Sequence, residues 1–320
     1  MLEIRPFRNS DPPALAAIWR SQPPQRGLMQ PLSSAIFEQC VLSKIYFDRA
    51  GLLVATREGE PVGFAHAAFG PGDGGECVDC TLGTTAMLMV RGDVDDPAIA
   101  DALIGRSEAY QRDRGASVHY AGGIDPLNGF YLGLYGGSEM PGILESDPRQ
   151  LAAFERNQYQ ESGRVVVLQR QLVRFRPDAS RETRLVRRKA QFAHNFSPSA
   201  KNWWDACVCG PLDRMRFSLL MRGQERPAAS VTFWDLEPLA TSWGIRTMGM
   251  LDLLVEPEHR RQRMATYLLN ESFRELLKRG VTMIEAQTMA DNQAALAFYH
   301  KMGFTAVDHG RVLRRAPRDG

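Results

Sequence analysis

Arg260, Arg261 and Arg263 crowd the stretch V-E-P-E-H-R-R-Q-R-M-A, which runs from Val255 to Ala265. The hydrophobic run before it predicts a strand ending at Val255, and Pro257 cannot donate to a strand ladder. An amphipathic helix is expected from Met264, with Leu268, Leu269, Phe273, Leu276 and Leu277 on one stripe and Gly280 as its stop. The first amides of such a helix have no intrahelical acceptor, and the positive end of its dipole lies there. Strand, basic turn and helix entrance together make a site for a diphosphate.

A second segment, N-Q-A-A-L-A-F-Y-H-K-M-G-F, runs from Asn292 to Phe304. The two segments together resemble the GNAT superfamily of acyl-CoA-dependent N-acyltransferases, whose pattern is V-x-P-x-x-R-x-x-G-x-G/A, a helix, a strand, then N-x-x-A-x-x-F/L-Y-x-x-x-G-F. Val255, Pro257, Arg260, Ala265, Asn292, Ala295, Phe298, Tyr299, Gly303 and Phe304 match it, and Arg263 stands where the family has its first glycine. The pair of motifs is specific because a helix and a strand separate them as the family requires. The likeness is strong from about Met248 and faint before Pro177.

The resemblance implies transfer of an acyl group, with acetyl-CoA as cosubstrate and no metal, by direct attack on the thioester by a primary amine that a small molecule or peptide carries. Leu253, Leu254 and Val255 then fall where the pantetheine pairs with an open strand. The amides and side chains of Arg260, Arg261, Gln262, Arg263, Met264 and Ala265 fall at the diphosphate. Tyr299 matches the tyrosine that protonates the leaving thiolate, and its phenol, with a pKa of about 10, is a donor near neutral pH. Asn292 matches an asparagine near the cofactor and equally fits a helix cap. Asp252 and Glu285 are the carboxylates able to take the amine's proton, with Gln287 one pleat from Glu285. Glycine at position 263 would permit a left-handed backbone. An arginine can replace it if that position is already helical and its side chain is turned outward.

The chain lays onto itself with Val255 on Val90, Arg260 on Asp95 and, after one residue of slippage, Asn292 on Asn128 and Tyr299 on Tyr135. This predicts two tandem GNAT-like domains, residues 1–176 and 177–320, each a mixed, mostly antiparallel sheet flanked by helices. The first copy is worn. Asp93, Asp95 and Asp96 lie where the diphosphate would be, Met87 replaces Asp252, and Ala121 and Gly123 replace Glu285 and Gln287. Carboxylates repel phosphates, so this copy is expected to be noncatalytic, with Tyr135 a core residue. Its predicted elements include a helix capped by Asp11, a strand pair from Leu52 to Phe69, a strand from Ala86 to Val90, a helix from Pro97 to Arg114 and a closing strand from Arg164 to Arg170. The second copy is expected to end in a hairpin around Val307 and Arg311 to Arg314.

A chain of 320 residues can bury two cores. Its 39 lysines and arginines nearly balance 37 aspartates and glutamates, which argues against a nucleic-acid or membrane partner. The basic run Arg181 to Lys189 reads as a solvated linker and first helix rather than an RNA patch. No run reaches the roughly 18 to 20 apolar residues of a spanning helix, and the N-terminus has no signal-peptide pattern, so a cytoplasmic location is expected. Five cysteines fit a reducing compartment, and Cys77, Cys80, Cys207 and Cys209 lack zinc-ribbon spacing. A noncatalytic acyl-CoA sensor or scaffold is the alternative reading. Composition leaves the acceptor and the oligomeric state open.

Overall fold

The computed structural model describes residues 1–178 and 180–316. Strand β1 (Leu2–Pro6) leads to helix α1 (Pro12–Arg20) and the short α2 (Ser34–Phe37). The turn Glu58-Gly59 joins β2 (Leu52–Arg57) to β3 (Glu60–Pro71), and β4 (Val78–Val90) follows. Helix α3 (Pro97–Asp113) turns its Ile99, Leu103 and Ile104 into the core, as their spacing predicts. Then come β5 (Val118–Ala121), β6 (Ile143–Leu144), α4 (Pro148–Arg156) and β7 (Gln160–Gln171).

The second half repeats the plan. Helix α5 (Arg181–Lys189) takes up the basic run, and β8 (Ala190–Asn195) and α6 (Trp203–Cys209) follow. The hairpin β9 (Arg214–Met221) and β10 (Pro227–Asp235) precedes α7 (Glu237–Trp243) and β11 (Thr247–Val255). Helix α8 (Met264–Lys278) buries Leu268, Leu269, Phe273 and Leu276 and stops before Gly280, whose φ of +79° suits a residue without a Cβ. The chain closes with β12 (Met283–Met289), α9 (Gln293–Lys301) and β13 (Thr305–Arg315).

All strands join one sheet, in the order β1-β2-β3-β4-β5-β13-β7-β12-β11-β10-β9-β8, with β6 beside β13. Every pairing is antiparallel except β4 with β5 and β11 with β12, so the expected mixed, mostly antiparallel sheet flanked by helices is what forms. One core cluster centres on Trp19, Phe37 and Phe64 and takes in Trp234, Leu236 and Leu239 from the second half, and another centres on Phe217, Phe233 and Phe273.

The two halves trade their last strands. β7 lies against β12, with Met283 opposite Gln171, and β13 crosses to β5, with Leu313 opposite Ala121. Strand β7, predicted to close the first copy, therefore runs beside β12 and β13 instead. The predicted terminal hairpin is one long strand, because β7 on one side and β5 with β6 on the other supply its ladder partners. Asp11 stands at the start of α1 but caps nothing with its side chain. Both its oxygens take the guanidinium of Arg5, at 2.8 Å each. Among the described residues no helix is long and apolar enough to cross a membrane.

Candidate active site

The site begins where two parallel strands part. β11 and β12 are paired from Thr247 and Met283 to Met250 and Ala286, and no further. Beyond that point β10 still pairs with β11 as far as Val255, and β7 still pairs with β12 as far as Met289. Leu251 to Val255 consequently present one unpaired edge toward a widening cleft, an open ladder that an extended amide-bearing chain can join. Asp252 sits at the irregularity in β10–β11 pairing with φ of +52°.

At the foot of the cleft the chain turns through Pro257–His259 into α8. Arg261 and Arg263 have φ of +58° and +61°. Asp252, Arg261 and Arg263 are three of the six non-glycine residues with positive φ among the described residues, so strained backbone concentrates at this end of the sheet. Position 263 is not helical, as the sequence argument required for an arginine. It is the N-cap, in the left-handed region that glycine serves in the family pattern. Tyr267 is the first residue of the helix whose amide finds a backbone carbonyl, that of Arg263 at 3.0 Å, which leaves the amides of Met264, Ala265 and Thr266 without intrahelical acceptors.

Around this entrance lies a cavity of about 310 Å³ lined by Val255, His259, Arg260, Arg261, Arg263, Met264, Ala265, Thr266, Phe298 and Lys301, with no carboxylate in the lining. Arg260 also ties the turn to the strand, its Nε donating to Val255 O at 3.1 Å, and Gln262 Nε2 donates to Glu258 O at 2.7 Å. Arginine forks, a lysine and free amides at one helix end fit a diphosphate, and the open edge of β11 fits the amides of a pantetheine arm.

At the corresponding place in the first half, carboxylates stand at the helix entrance beside Arg149 and Arg156. The cavity there, about 290 Å³, includes Asp95, Asp96 and Asp147 in its lining. Asp96 Oδ1 accepts from the amide of Ala98 at 3.1 Å, and Pro97 removes another amide, so a carboxylate of the chain already occupies the anion position of α3. Tyr135 is fully buried, donating to Asp147 Oδ2 at 3.4 Å and accepting from the amide of Leu144 at 3.0 Å.

Tyr299 projects from α9, whose first turn is capped by Asn292 Oδ1 accepting from Ala295 N at 3.1 Å. The capping half of the Asn292 expectation is thus visible. The Tyr299 ring packs on Phe298 and Phe304, and its burial, with the charge of Glu139 adding, pushes the phenol up to about 12. It holds its proton throughout the neutral range.

The two candidate bases have different surroundings. Asp252 is exposed and paired with Lys201 Nζ at 2.6 Å. Glu285 is completely buried, and its oxygens accept from Arg26 Nη1 at 2.7 Å, the amide of Ser138 at 2.7 Å and Gln169 Nε2 at 2.8 Å. Both oxygens of Glu285 are thus engaged by donors of the protein, one of them an arginine.

A carboxyl that sequence reasoning missed stands beside them. The segment Gly136 to Met140 of the first half lies over the point where β11 and β12 part. Gln287 Nε2 donates to Glu139 O at 3.0 Å, and Trp234 Nε1 donates to Ser138 O at 3.1 Å. A Cβ at Gly137 would collide with Glu285 Oε1, and one at Gly249, beside the last paired residues, would come within 2.9 Å of Ser138 Cβ. Glycine at both positions lets the two backbones close. The Glu139 side chain meets no hydrogen-bond donor and no ion-pair partner among the described residues. Burial, with Asp125 and Asp252 adding, pushes its carboxyl up to about 8 against the pull of Lys201. The signal in the sequence was the glycine pair behind Tyr135, which reads as a worn motif until its partner surface is known.

Residues 183–304 match the family model described as acetyltransferase (GNAT) family. No curated protein matches the chain in sequence. Among solved structures, the whole chain is similar to a tandem GNAT protein from the clavulanic acid biosynthesis pathway, at 13% identity, full coverage of both chains and a TM-score of 0.65. A GCN5-related N-acetyltransferase from Sphaerobacter thermophilus gives 13% identity over 100% of this chain and 96% of the other, with a TM-score of 0.64. The GCN5-related glucosamine N-acetyltransferase region of a fungal multi-domain β-N-acetylglucosaminidase gives 16% identity over 98% of this chain and 38% of that one, with a TM-score of 0.72. At these identities the likeness is one of fold.

Proposed function

We propose, from the match of residues 183–304 to the GNAT acetyltransferase family and a fold similar to that of tandem GNAT proteins, that the second half is an N-acyltransferase moving an acetyl group from acetyl-CoA to a primary amine. The observation that carries this reading is the parting of β11 from β12 beyond Met250 and Ala286, with a cationic helix entrance at its foot. Leu253 to Val255 would hold the pantetheine by their open backbone. The amides and side chains from Arg260 to Ala265, joined by Lys301, would hold the diphosphate. The thioester supplies the acyl group. Tyr299, protonated at neutral pH, is the donor for the departing sulfur. Asn292 holds the start of α9 and so the position of Tyr299.

We assign the first half, residues 1–176, a noncatalytic part, because Asp96 fills the anion position of α3. The engagement of both expected bases favours a second reading, an acyl-CoA sensor. The two separate on turnover. Calorimetry with acetyl-CoA is expected to show binding, and a panel of primary amines is expected to release free thiol. Tyr299→Phe should cut turnover while the affinity for acetyl-CoA stays within about twofold. Binding with no thiol release from any amine would leave only the sensor.

A further inference from the structure

We infer that Glu139, carried by the first half, takes the proton of the acceptor ammonium in the second half's acyl transfer; this rests on the acyltransferase reading above. Four observations lead there. Glu139 stands at the mouth of the cleft, fixed through its own carbonyl by Gln287 and through its neighbour Ser138 by Trp234 and Glu285. Its side chain is partly buried and without a partner among the described residues, whereas Asp252 is held by Lys201 and Glu285 by three donors. Its charge raises the Tyr299 phenol, so the two groups lie within electrostatic reach of each other. Its acidity lies near that of a base working in neutral solution, set first by burial, with Asp125 and Asp252 adding and Lys201 opposing.

The protons balance as follows. The ammonium nitrogen gives one proton to the Glu139 carboxylate and becomes a neutral amine. Its lone pair forms the C–N bond to the acyl carbon, the C–S bond breaks with its electron pair on sulfur, and sulfur takes the Tyr299 hydroxyl proton. The nitrogen's second proton returns to the Tyr299 phenolate, and Glu139 releases its own to solvent. One amide, one thiol and one proton result. The worn copy thus keeps a chemical duty in a site that is not its own.

The test is Glu139→Gln, with Glu139→Asp beside it, assayed by thiol release from acetyl-CoA with spermidine, tyramine, glucosamine and a lysine-terminated peptide from pH 6 to 9. Wild-type kcat/KM is expected to rise with pH through an inflection near 8. Glu139→Gln should lower it by about 100-fold or more and abolish that inflection, with acetyl-CoA affinity by calorimetry within about twofold. Glu139→Asp should recover part of the rate. A wild-type protein active on an amine, together with an equally active Glu139→Gln of unchanged pH profile, overturns the role of Glu139 and leaves the acyltransferase intact. A wild-type protein that binds acetyl-CoA and releases no thiol with any amine overturns both.

Discussion

Arg26 and Glu285 lie 259 residues apart in the chain and meet at 2.7 Å, with the carboxylate wholly buried. The pair joins the first half to the strand that borders the cleft. Removing one partner leaves an uncompensated charge in the interior, which costs about 3–5 kcal/mol. Arg26→Met is therefore expected to lower unfolding stability by about that amount, read as a shift of the urea midpoint at unchanged slope. A change below 1 kcal/mol would mean that water reaches Glu285.

Arg263 holds a left-handed backbone at the entrance to α8. Such a conformation costs a residue with a Cβ roughly 1–2 kcal/mol, part of which glycine returns as entropy of the unfolded chain. Arg263→Gly is expected to raise stability by somewhat under about 1 kcal/mol, and Arg263→Ala to give no gain. Thermal unfolding of the two variants side by side decides it.

Arg261 lines the cationic cavity and makes no side-chain bond to the protein among the described residues. Its substitution should touch the ligand more than the fold. Arg261→Gln is expected to weaken acetyl-CoA binding about tenfold, or about 1.4 kcal/mol, and to flatten the dependence of affinity on salt, with kcat unchanged. Titrations at several ionic strengths check both.

Glu139 also makes stability depend on pH. Its folded carboxyl titrates near 8, while an unfolded glutamate titrates at about 4.3. Between those values the folded chain binds more protons than the unfolded one, so this group's contribution falls as pH rises through the window. Burial sets its position first, with Asp125 and Asp252 raising it and Lys201 lowering it, and its charge in turn acts on the Tyr299 phenol. Glu139→Gln should melt with the wild type near pH 5 and above it at pH 9. Equal offsets at both pH values would contradict the shift.

The second half was legible because its signals are local. A proline after a strand, a basic turn, a helical stripe ending at Gly280 and an asparagine cap each depend on neighbours along the chain. The turn at 263 was misjudged because an arginine was expected only in a helical position, whereas here it stands at the N-cap with a left-handed backbone. Glu139 was not legible at all. Its role depends on Gly137 passing over Glu285, a contact between residues 137 and 285 that no window along the chain contains. The trade of β7 for β13 was hidden for the same reason, since the continuous apolar run Val165 to Leu168 signals a strand and not which neighbours that strand chooses.

That trade predicts that the halves are inseparable. Residues 1–176 or 177–320 expressed alone should show no cooperative melt, and the two produced together should copurify as one folded species. Soluble, cooperatively melting single fragments would contradict the exchange.

The same exchange sets the timetable of synthesis. The edge of β5 and the outer side of β7 both wait for β13, which is made after either of them. The first half, although made before the second, cannot finish its sheet until β13 has emerged, and the nascent chain carries an open strand edge until then.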